Sequence, residues 1–176
     1  KQMTLTHVLY NFSKPTIAAI PGAAAGAGLS IALACDFRFV NENAFVIAGY
    51  GKIALTGDYG MSCLLPRIVG VPKAKDIMFS NKKIFAKEGL KICLFDNIIK
   101  GDNLLKSTLE YANLLGSFSS FALKAMKKNI NNSYQLNLEE ALHQEAVELI
   151  KASKSNDHKE GIKAFIEKRK PNFVGN

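Results

Sequence analysis

The sequence is short of the residues from which most metal and disulfide sites are built. It has no tryptophan, and only three histidines and three cysteines among 176 residues. Cys35, Cys63 and Cys93 stand far apart in apolar surroundings, and no CxxC pair occurs. Isolated cysteines in odd number argue against a disulfide framework, and scattered histidines lack the spacing of zinc ligands. We therefore expect no metal, and reduced cysteines that behave as small buried residues.

Long apolar runs and targeting signals are also missing. No segment approaches the roughly 18–20 apolar residues of a membrane-spanning helix, and no N-terminal signal peptide is recognisable ahead of the first helix. The chain begins at Lys1 and not at a methionine. A composition of 48% hydrophobic and 22% charged residues is typical of one globular domain. We expect a cytoplasmic protein.

The chain is strongly basic, and its lysines are spread evenly along the sequence. Net charge is +8, from 23 lysines and arginines against 15 acids. Such a surface suits an anionic ligand, although evenly spread lysines are more typical of an ordinary solvated surface. Aromatic residues do not alternate with basic ones, so no nucleic-acid-binding surface is predicted. No strongly basic amphipathic helix indicates membrane binding.

What the sequence does have is a glycine-rich turn between an apolar strand and a helix. Residues 16–20 form a short apolar run that predicts a buried strand. A turn at Pro21-Gly22 and the small residues up to Gly28 follow, and a helix is predicted over about 28–34. A helix N-terminus offers unpaired N–H groups to a negatively charged oxygen. About thirty residues later, Asp58 lies in a second turn, Gly57–Gly60.

An anion-binding turn and one carboxylate together outline a site for an enolate. The alternative for Asp58 is a turn residue or the N-cap of the following helix, roles that aspartate fills well. The turn is not a dinucleotide-binding GxGxxG motif, because Ile31 stands where the last glycine would be. It lacks the GK[ST] of a P-loop, and Ser30 lacks a GxSxG context.

The remaining pattern predicts an α/β fold that ends in helices. Strands are predicted over 36–40, 44–47 and 95–99, and helices over 4–12, 61–68, 85–93 and from Val71. Four further helices are predicted over roughly 102–115, 119–130, 137–153 and 157–169. Capping boxes are predicted at Asn137/Glu140 and at Asp157/Glu160. Helical spacing predicts two apolar faces, of which the first would be buried: Leu138, Leu142, Ala146 and Leu149; and Ile162, Phe165 and Ile166.

Several segments resemble the enoyl-CoA hydratase/isomerase (crotonase) family. They are KPTIAAIPGAAAGAGLSIALACDFRF, IALTGDYGMSCLLPRIVG, FAKEGLKICLFDNII and HKEGIKAFIEKRKPNF. The resemblance implies a crotonase-type spiral of strand–strand–helix units over 1–116, N-terminally incomplete, and a helical region over 117–176. It also implies an acyl-CoA substrate, no cofactor apart from the CoA of that substrate, and a homotrimer or a dimer of trimers.

The resemblance further implies roles for individual residues. The backbone N–H of Ala27, beside Gly26, would bind the thioester oxygen, and the second donor would lie in the absent N-terminal portion. Hydratases of the family carry glutamates where Ser30 and Tyr50 stand, so both of these residues would line the acyl pocket instead. Some isomerases carry an aspartate at the position of Asp58.

The resemblance therefore favours double-bond isomerisation with Asp58 as the single acid/base and Ala27 as the oxyanion donor. Phe165 and Lys168 would lie beside the CoA nucleotide. Three alternatives stay open: hydration, decarboxylation or thioester hydrolysis by another crotonase chemistry; a non-catalytic acyl-CoA-binding protein; and a structural subunit.

Overall fold

The protein is an α/β structure that ends in a run of helices. The computed structural model describes the backbone of residues 2–176 and the side chains of residues 4–176. The elements are α1 (Gln2–Tyr10), β1 (Ile17–Ile20), β2 (Ala23–Ala25), α2 (Ala27–Leu33), β3 (Phe37–Asn41), β4 (Phe45–Ile47), a 3-10 turn (Tyr50–Ile53), α3 (Met61–Val69), α4 (Val71–Ser80), β5 (Ile84–Phe85), α5 (Ala86–Lys91), β6 (Asn97–Ile99), α6 (Leu104–Gly116), α7 (Ser120–Asn132), α8 (Leu138–Ser153) and α9 (Asn156–Ile166).

The chain divides into two compact units. The spiral unit holds Thr16–Glu110 and the segment that ends at Phe12, and the helical unit holds Tyr111–Asn176 and Ser13–Pro15. The division falls inside α6, a little before the predicted boundary at residue 116.

The spiral unit contains two three-stranded sheets. The first has the order β1-β3-β6 and is parallel, with Ile17 opposite Phe37. The second has the order β2-β4-β5, with β2 parallel and β5 antiparallel to β4. Each of the successive pairs β1/β2, β3/β4 and β5/β6 thus adds one strand to each sheet. This is the predicted strand–strand–helix spiral.

Two strands of the second sheet were not predicted. The three alanines of β2 look like part of the glycine turn because alanine has little intrinsic preference for strands. They are a strand because Ala23 lies opposite Phe45 and Ala25 lies opposite Ile47. The other strand, β5, has only two residues and precedes α5, which begins at Ala86 where a helix from Phe85 was predicted.

The core of the spiral unit joins the helices to both sheets. Its fully buried side chains include Leu29 of α2, Val40 and Val46 of the sheets, and Leu65 and Ile77 of α3 and α4. Burying one such side chain completely contributes about 1.5–3 kcal/mol.

Close packing dictates one glycine of the spiral unit. A Cβ on Gly89 would overlap the Phe95 ring, so the packing of α5 against the segment before β6 requires glycine at this position.

A buried arginine fixes the approach to β6. The guanidinium of Arg38 donates to the carbonyl oxygens of Leu94 at 2.8 Å and Cys35 at 2.9 Å, and it pairs with Asp96 at 3.2 Å. Burial lowers the pKa of Arg38, and the nearby Asp96 carboxylate acts in the opposite direction. Because a buried cation is costly unless it is paired and hydrogen-bonded, these contacts hold β3 and the turn before β6 together.

The prediction that the three cysteines are buried is wrong. Cys63 and Cys93 are exposed and Cys35 is half-buried. On α3 the buried residues are Met61, Leu64 and Leu65. Their spacing defines one helix face, and Cys63 falls on the opposite face.

Of the two predicted capping boxes, one is confirmed and the other is wrong. The Asn137 side chain accepts from Glu140 N at 3.0 Å, and the Glu140 carboxylate accepts from Asn137 N at 2.9 Å. The last helix begins one residue earlier than predicted, because Ser155 is its N-cap and accepts from His158 N at 3.0 Å. Asp157 therefore lies inside the first turn and is free for another role.

The apolar face of α8 is exposed in this chain, so the prediction that it is buried is wrong. Leu138, Leu142 and Leu149 are 75%, 56% and 70% exposed. Phe165 and Ile166 of α9 are 85% and 73% exposed. The spacing identified an apolar face on each helix, but in the helical unit taken by itself nothing covers them.

Asp157 instead anchors the C-terminal segment. Asp157 is 2% exposed, and its carboxylate accepts hydrogen bonds from Ser119 Oγ at 2.6 Å, Val174 N at 2.7 Å and Gly175 N at 3.1 Å. Burial alone would raise the pKa of Asp157, but the three donors together lower it. The ionised carboxylate thus ties the ends of α7 and α9 to the last residues of the chain.

Asp157→Asn should lower the free energy of unfolding by about 1.5–3 kcal/mol at pH 7, because it weakens charge-assisted hydrogen bonds. A carboxyl whose pKa is lower in the folded state stabilises the protein above its unfolded pKa of about 3.9, and this contribution is lost as the pH falls further. The difference between wild type and variant should therefore shrink between pH 7 and pH 3, as measured by urea unfolding. Glu139→Gln, at an exposed acid of α8, is the control. An Asp157→Asn deficit that is the same at both pH values would contradict this role.

Candidate active site

The glycine turn places α2 so that its first residue is Ala27. Gly26 has φ of +51° and ψ of −119°, a backbone conformation that strongly favours glycine. Its N–H donates to the carbonyl oxygen of Ile47 at 3.1 Å, which ties the turn to the end of β4. The first N–H groups of a helix have no acceptor within the helix. The amide of Ala27 is one of these groups, as its predicted role as an oxyanion donor requires.

Ser30, Tyr50 and Asp58, three residues from three separate segments, form one hydrogen-bonded chain. Ser30 Oγ lies 3.2 Å from the carbonyl oxygen of Gly26 and 3.2 Å from the Tyr50 hydroxyl oxygen. The Tyr50 hydroxyl donates to Oδ1 of Asp58. The structure therefore brings together Gly26, Ala27, Ser30, Tyr50 and Asp58, although the sequence gives no sign that Tyr50 and Asp58 are bonded.

Turns on both sides fix Tyr50 and Asp58. Tyr50 begins the 3-10 turn after Gly49, which has φ of +79°. The carbonyl oxygen of Asp58 accepts from Met61 N at 3.0 Å, and the N-cap of α3 is Gly60, with no side-chain cap. The alternative that Asp58 caps α3 is therefore wrong. Its carboxylate is directed to the Tyr50 hydroxyl instead.

The surroundings of Tyr50 keep its hydroxyl protonated. Tyr50 is 8% exposed and Ser30 is completely buried. Burial, and after it the hydrogen bond to Asp58, raise the pKa of Tyr50 above its ordinary value near 10. At neutral pH the phenol is a hydrogen-bond donor to Asp58, and it is a poor base.

A cavity of about 780 Å³ opens beside Tyr50. Its walls are mostly apolar and come from the 3-10 turn, α3 and α4, with Leu55, Pro66 and Met78 among the lining residues. Asn81, in the left-handed conformation at the end of α4, also lines it, and the Asn81 Oδ1 is buried without a hydrogen-bond partner. An apolar cavity with a few polar groups is typical of a site for a small organic ligand. Neither the cavity nor the orphaned Asn81 oxygen was predicted, and no sequence pattern marks them.

The other two predicted site residues belong to the helical unit. Phe165 is exposed on α9, which ends at Ile166. Lys168 follows the helix in a left-handed conformation, with φ of +52°. The prediction that the helix continues to residue 169 is wrong, so Lys168 does not extend the helix face of Phe165. Their roles at the CoA nucleotide stay predictions.

No group of three or more His, Cys, Asp and Glu side chains suited to a metal ion occurs among the described residues. Within the same part of the chain, no helix is both long and apolar enough to cross a membrane.

Comparisons with known proteins all point to the same family. The model of the family described as enoyl-CoA hydratase/isomerase matches residues 1–176. A short-chain-enoyl-CoA hydratase of Clostridium acetobutylicum is 34% identical over 157 residues, which are 89% of this chain and 60% of that protein. A 1,2-epoxyphenylacetyl-CoA isomerase of Escherichia coli is 29% identical over 171 residues, which are 97% of this chain and 65% of that protein.

The fold agrees with a solved structure of the same family. A crystal structure of an enoyl-CoA hydratase from Bacillus anthracis superposes with a TM-score of 0.96 at 30% identity, covering 99% of this chain and 68% of that one. The present chain thus spans about three fifths to two thirds of the length of these relatives. Its sequence, its two-sheet spiral and its glycine turn lead to one conclusion: the chain belongs to the enoyl-CoA hydratase/isomerase family.

Proposed function

We propose that the protein acts on acyl-CoA thioesters as an enoyl-CoA double-bond isomerase. The observation that carries this proposal is that Asp58, bonded to Tyr50 beside the glycine turn, is the single carboxylate among the described residues of the site. At the two positions where hydratases of the family carry glutamates, this chain has the neutral hydroxyls of Ser30 and Tyr50. Isomerisation needs one group that moves a proton, and hydration needs one group to activate water and another to deliver a proton.

The proposed reaction moves one proton between two carbons. The Asp58 carboxylate removes a proton from the carbon next to the double bond, and the C–H electron pair becomes a new double bond. The electrons of the original double bond shift toward the thioester oxygen, where Ala27 N–H stabilises the negative charge. One such donor typically contributes about 3–4 kcal/mol to lowering the barrier. Asp58 then gives the proton to the carbon next to the thioester carbonyl. The enolate electrons form this C–H bond as the carbonyl double bond is restored, and the enzyme is unchanged.

The cavity beside Tyr50 suits the acyl group of the substrate. It is mostly apolar, and Tyr50 forms part of its wall next to Asp58. An acyl chain that enters there would place its reactive carbons near the carboxylate and its tail against α3 and α4. Burial of the tail would contribute about 0.8 kcal/mol for each CH₂.

Hydration is the second candidate function, and it is favoured by the names of the Clostridium and Bacillus relatives. In that reaction Tyr50 would have to deliver a proton while Asp58 activates water. The raised pKa of Tyr50 makes the phenol a weak acid for this step. A protein that binds acyl-CoA without catalysis is the third candidate.

These candidates differ in their products in deuterated water. An isomerase moves the double bond and exchanges carbon-bound protons, a hydratase forms a 3-hydroxyacyl product, and a binding protein does neither. Asp58→Asn should abolish both bond migration and exchange in a panel of enoyl-CoA esters, because it removes the base at constant size. Asp76→Asn, at an exposed aspartate of α4, is the control. If the Asp58→Asn enzyme turns over within a few-fold of wild type, Asp58 is not the acid/base.

Ala27 acts through its backbone in this proposal, so a larger side chain should interfere with the substrate. Ala27→Val should lower kcat/KM by about 100-fold or more, comparable to the loss of an oxyanion donor, and circular dichroism should report an unchanged fold. Ala27→Gly, which keeps a small residue at this position, should retain far more activity than Ala27→Val. A folded Ala27→Val protein with full activity would exclude a close approach of the thioester to this amide.

We also propose that Phe165 and Lys168 contact the CoA nucleotide and that the protein is a homotrimer or a dimer of trimers. The exposed apolar faces of α8 and α9 support an assembly, because monomers rarely expose large apolar patches.

Lys168→Ala should weaken binding of a non-reactive acyl-CoA about fivefold at low salt, and less at high salt. Binding is measured by calorimetric titration, with Lys159→Ala of α9 as the control. Light scattering should give an assembly of three or six chains for wild type and for both variants. Equal affinities of wild type and Lys168→Ala at low salt would make Lys168 an ordinary surface residue.

A further inference from the structure

We propose that Ser30 and Tyr50 are positioning residues that hold the Asp58 carboxylate in register with the Ala27 amide. This inference rests on the proposed function and assigns Tyr50 a more specific task than lining the acyl pocket. The chain of hydrogen bonds runs from the Gly26 carbonyl through Ser30 and Tyr50 to Asp58. Gly26 directly precedes Ala27, so the two groups that act on the substrate stand at opposite ends of one connected unit.

The position of the Tyr50 ring depends on the glycine turn itself. A Cβ built on Gly26 would lie 3.7 Å from Cζ of Tyr50, the carbon that carries the hydroxyl. The phenol therefore lies directly against the backbone of the turn. Because Tyr50 is 8% exposed, the ring is confined by packing, and its hydroxyl keeps one direction.

The hydrogen-bond directions fit a fixed carboxylate with one free oxygen. The Tyr50 hydroxyl donates its only proton to Oδ1 of Asp58, so its oxygen is an acceptor toward Ser30. The single hydroxyl proton of Ser30 is then shared between the Tyr50 oxygen and the Gly26 carbonyl oxygen, each 3.2 Å from Ser30 Oγ. The raised pKa of Tyr50 keeps that proton on the phenol. Oδ1 is thus occupied, and Oδ2 is the oxygen that takes the substrate proton and returns it. Tyr50 itself gains and loses no proton in the cycle.

This arrangement has a consequence for the fate of the moving proton. A carboxylate held in one orientation can return a larger share of the abstracted protons before solvent deuterium replaces them. A carboxylate free to rotate spends part of its time away from the substrate, and misplacement by about 1 Å can cost about 100-fold in rate. Losing the Tyr50 hydroxyl should therefore slow the reaction and raise the uptake of solvent deuterium in each turnover.

The test compares Tyr50→Phe, Ser30→Ala and the control Tyr134→Phe, at an exposed tyrosine of the helical unit. Tyr50→Phe should lower kcat about 10- to 100-fold with KM changed less than about threefold, and it should raise the deuterium incorporated for each molecule isomerised. Ser30→Ala should produce the same two changes to a smaller extent. A Tyr50→Phe enzyme with wild-type kcat and wild-type deuterium uptake, while Asp58→Asn is inactive, would overturn the positioning role and leave the proposed function standing.

A second measurement needs no activity. Ultraviolet titration of wild type and Tyr50→Phe isolates the absorbance change of the Tyr50 phenol. In wild type, the negative charge of Asp58 and its hydrogen bond to Tyr50 disfavour the phenolate. The Tyr50 phenol should therefore ionise at lower pH in Asp58→Asn, which lacks that charge. The same titration midpoint in both proteins would show that Tyr50 and Asp58 are not bonded, and would overturn the inference even if the protein proved to be a hydratase.

Discussion

The parallel pairing of β2 with β4 is the constraint on which the site depends. It sets Ala25 opposite Ile47, and the next residue, Gly26, continues the ladder by donating to the Ile47 carbonyl oxygen at 3.1 Å. Only two residues separate Ile47 from Tyr50, so the end of β4 places the Tyr50 phenol beside the glycine turn. A slip of one residue in this pairing would turn every side chain to the other face of the sheet. The start of α2 and the Tyr50 hydroxyl would then no longer meet.

The distribution of charge in the site follows from the cost of burial. Ser30 and Tyr50 occupy the deepest positions and are neutral, whereas the ionisable Asp58 is only half-buried. An isolated buried carboxylate is expensive, and two carboxylates that share a site oppose each other's ionisation. With hydroxyls at the inner positions, the site keeps one negative charge at its outer end and satisfies the buried oxygens with hydrogen bonds. Such a site is suited to moving one proton.

The sequence was sufficient where a local signal determines the structure. The apolar run of β1, the small residues before α2 and the Asn137 capping box each act within a few residues, and each was predicted. The strand β2 was missed because nothing in three alanines indicates a strand until β4 is beside them. Asp58 was identified as a candidate from its position in the resemblance to the family, but its partner was not. The Tyr50–Asp58 bond depends on the 3-10 turn between them, whose geometry no residue pattern encodes.

The exposed leucines of α8 mark a different limit of sequence reasoning. Helical periodicity states which face of a helix is apolar, but the surface that covers this face can belong to the same chain or to another one. Leu138, Leu142 and Leu149 keep the spacing of a buried face and are still more than half exposed. The single buried residue of α8 is Glu148, whose carboxylate is held by Lys128 at 2.8 Å and Lys151 at 3.0 Å. The helix thus contacts α7 through this ion pair and through hydrogen bonds of Gln144 with Asn129 and Asn132, while its leucines remain exposed. The apolar pattern of α8 therefore does not by itself identify the surface that would cover it.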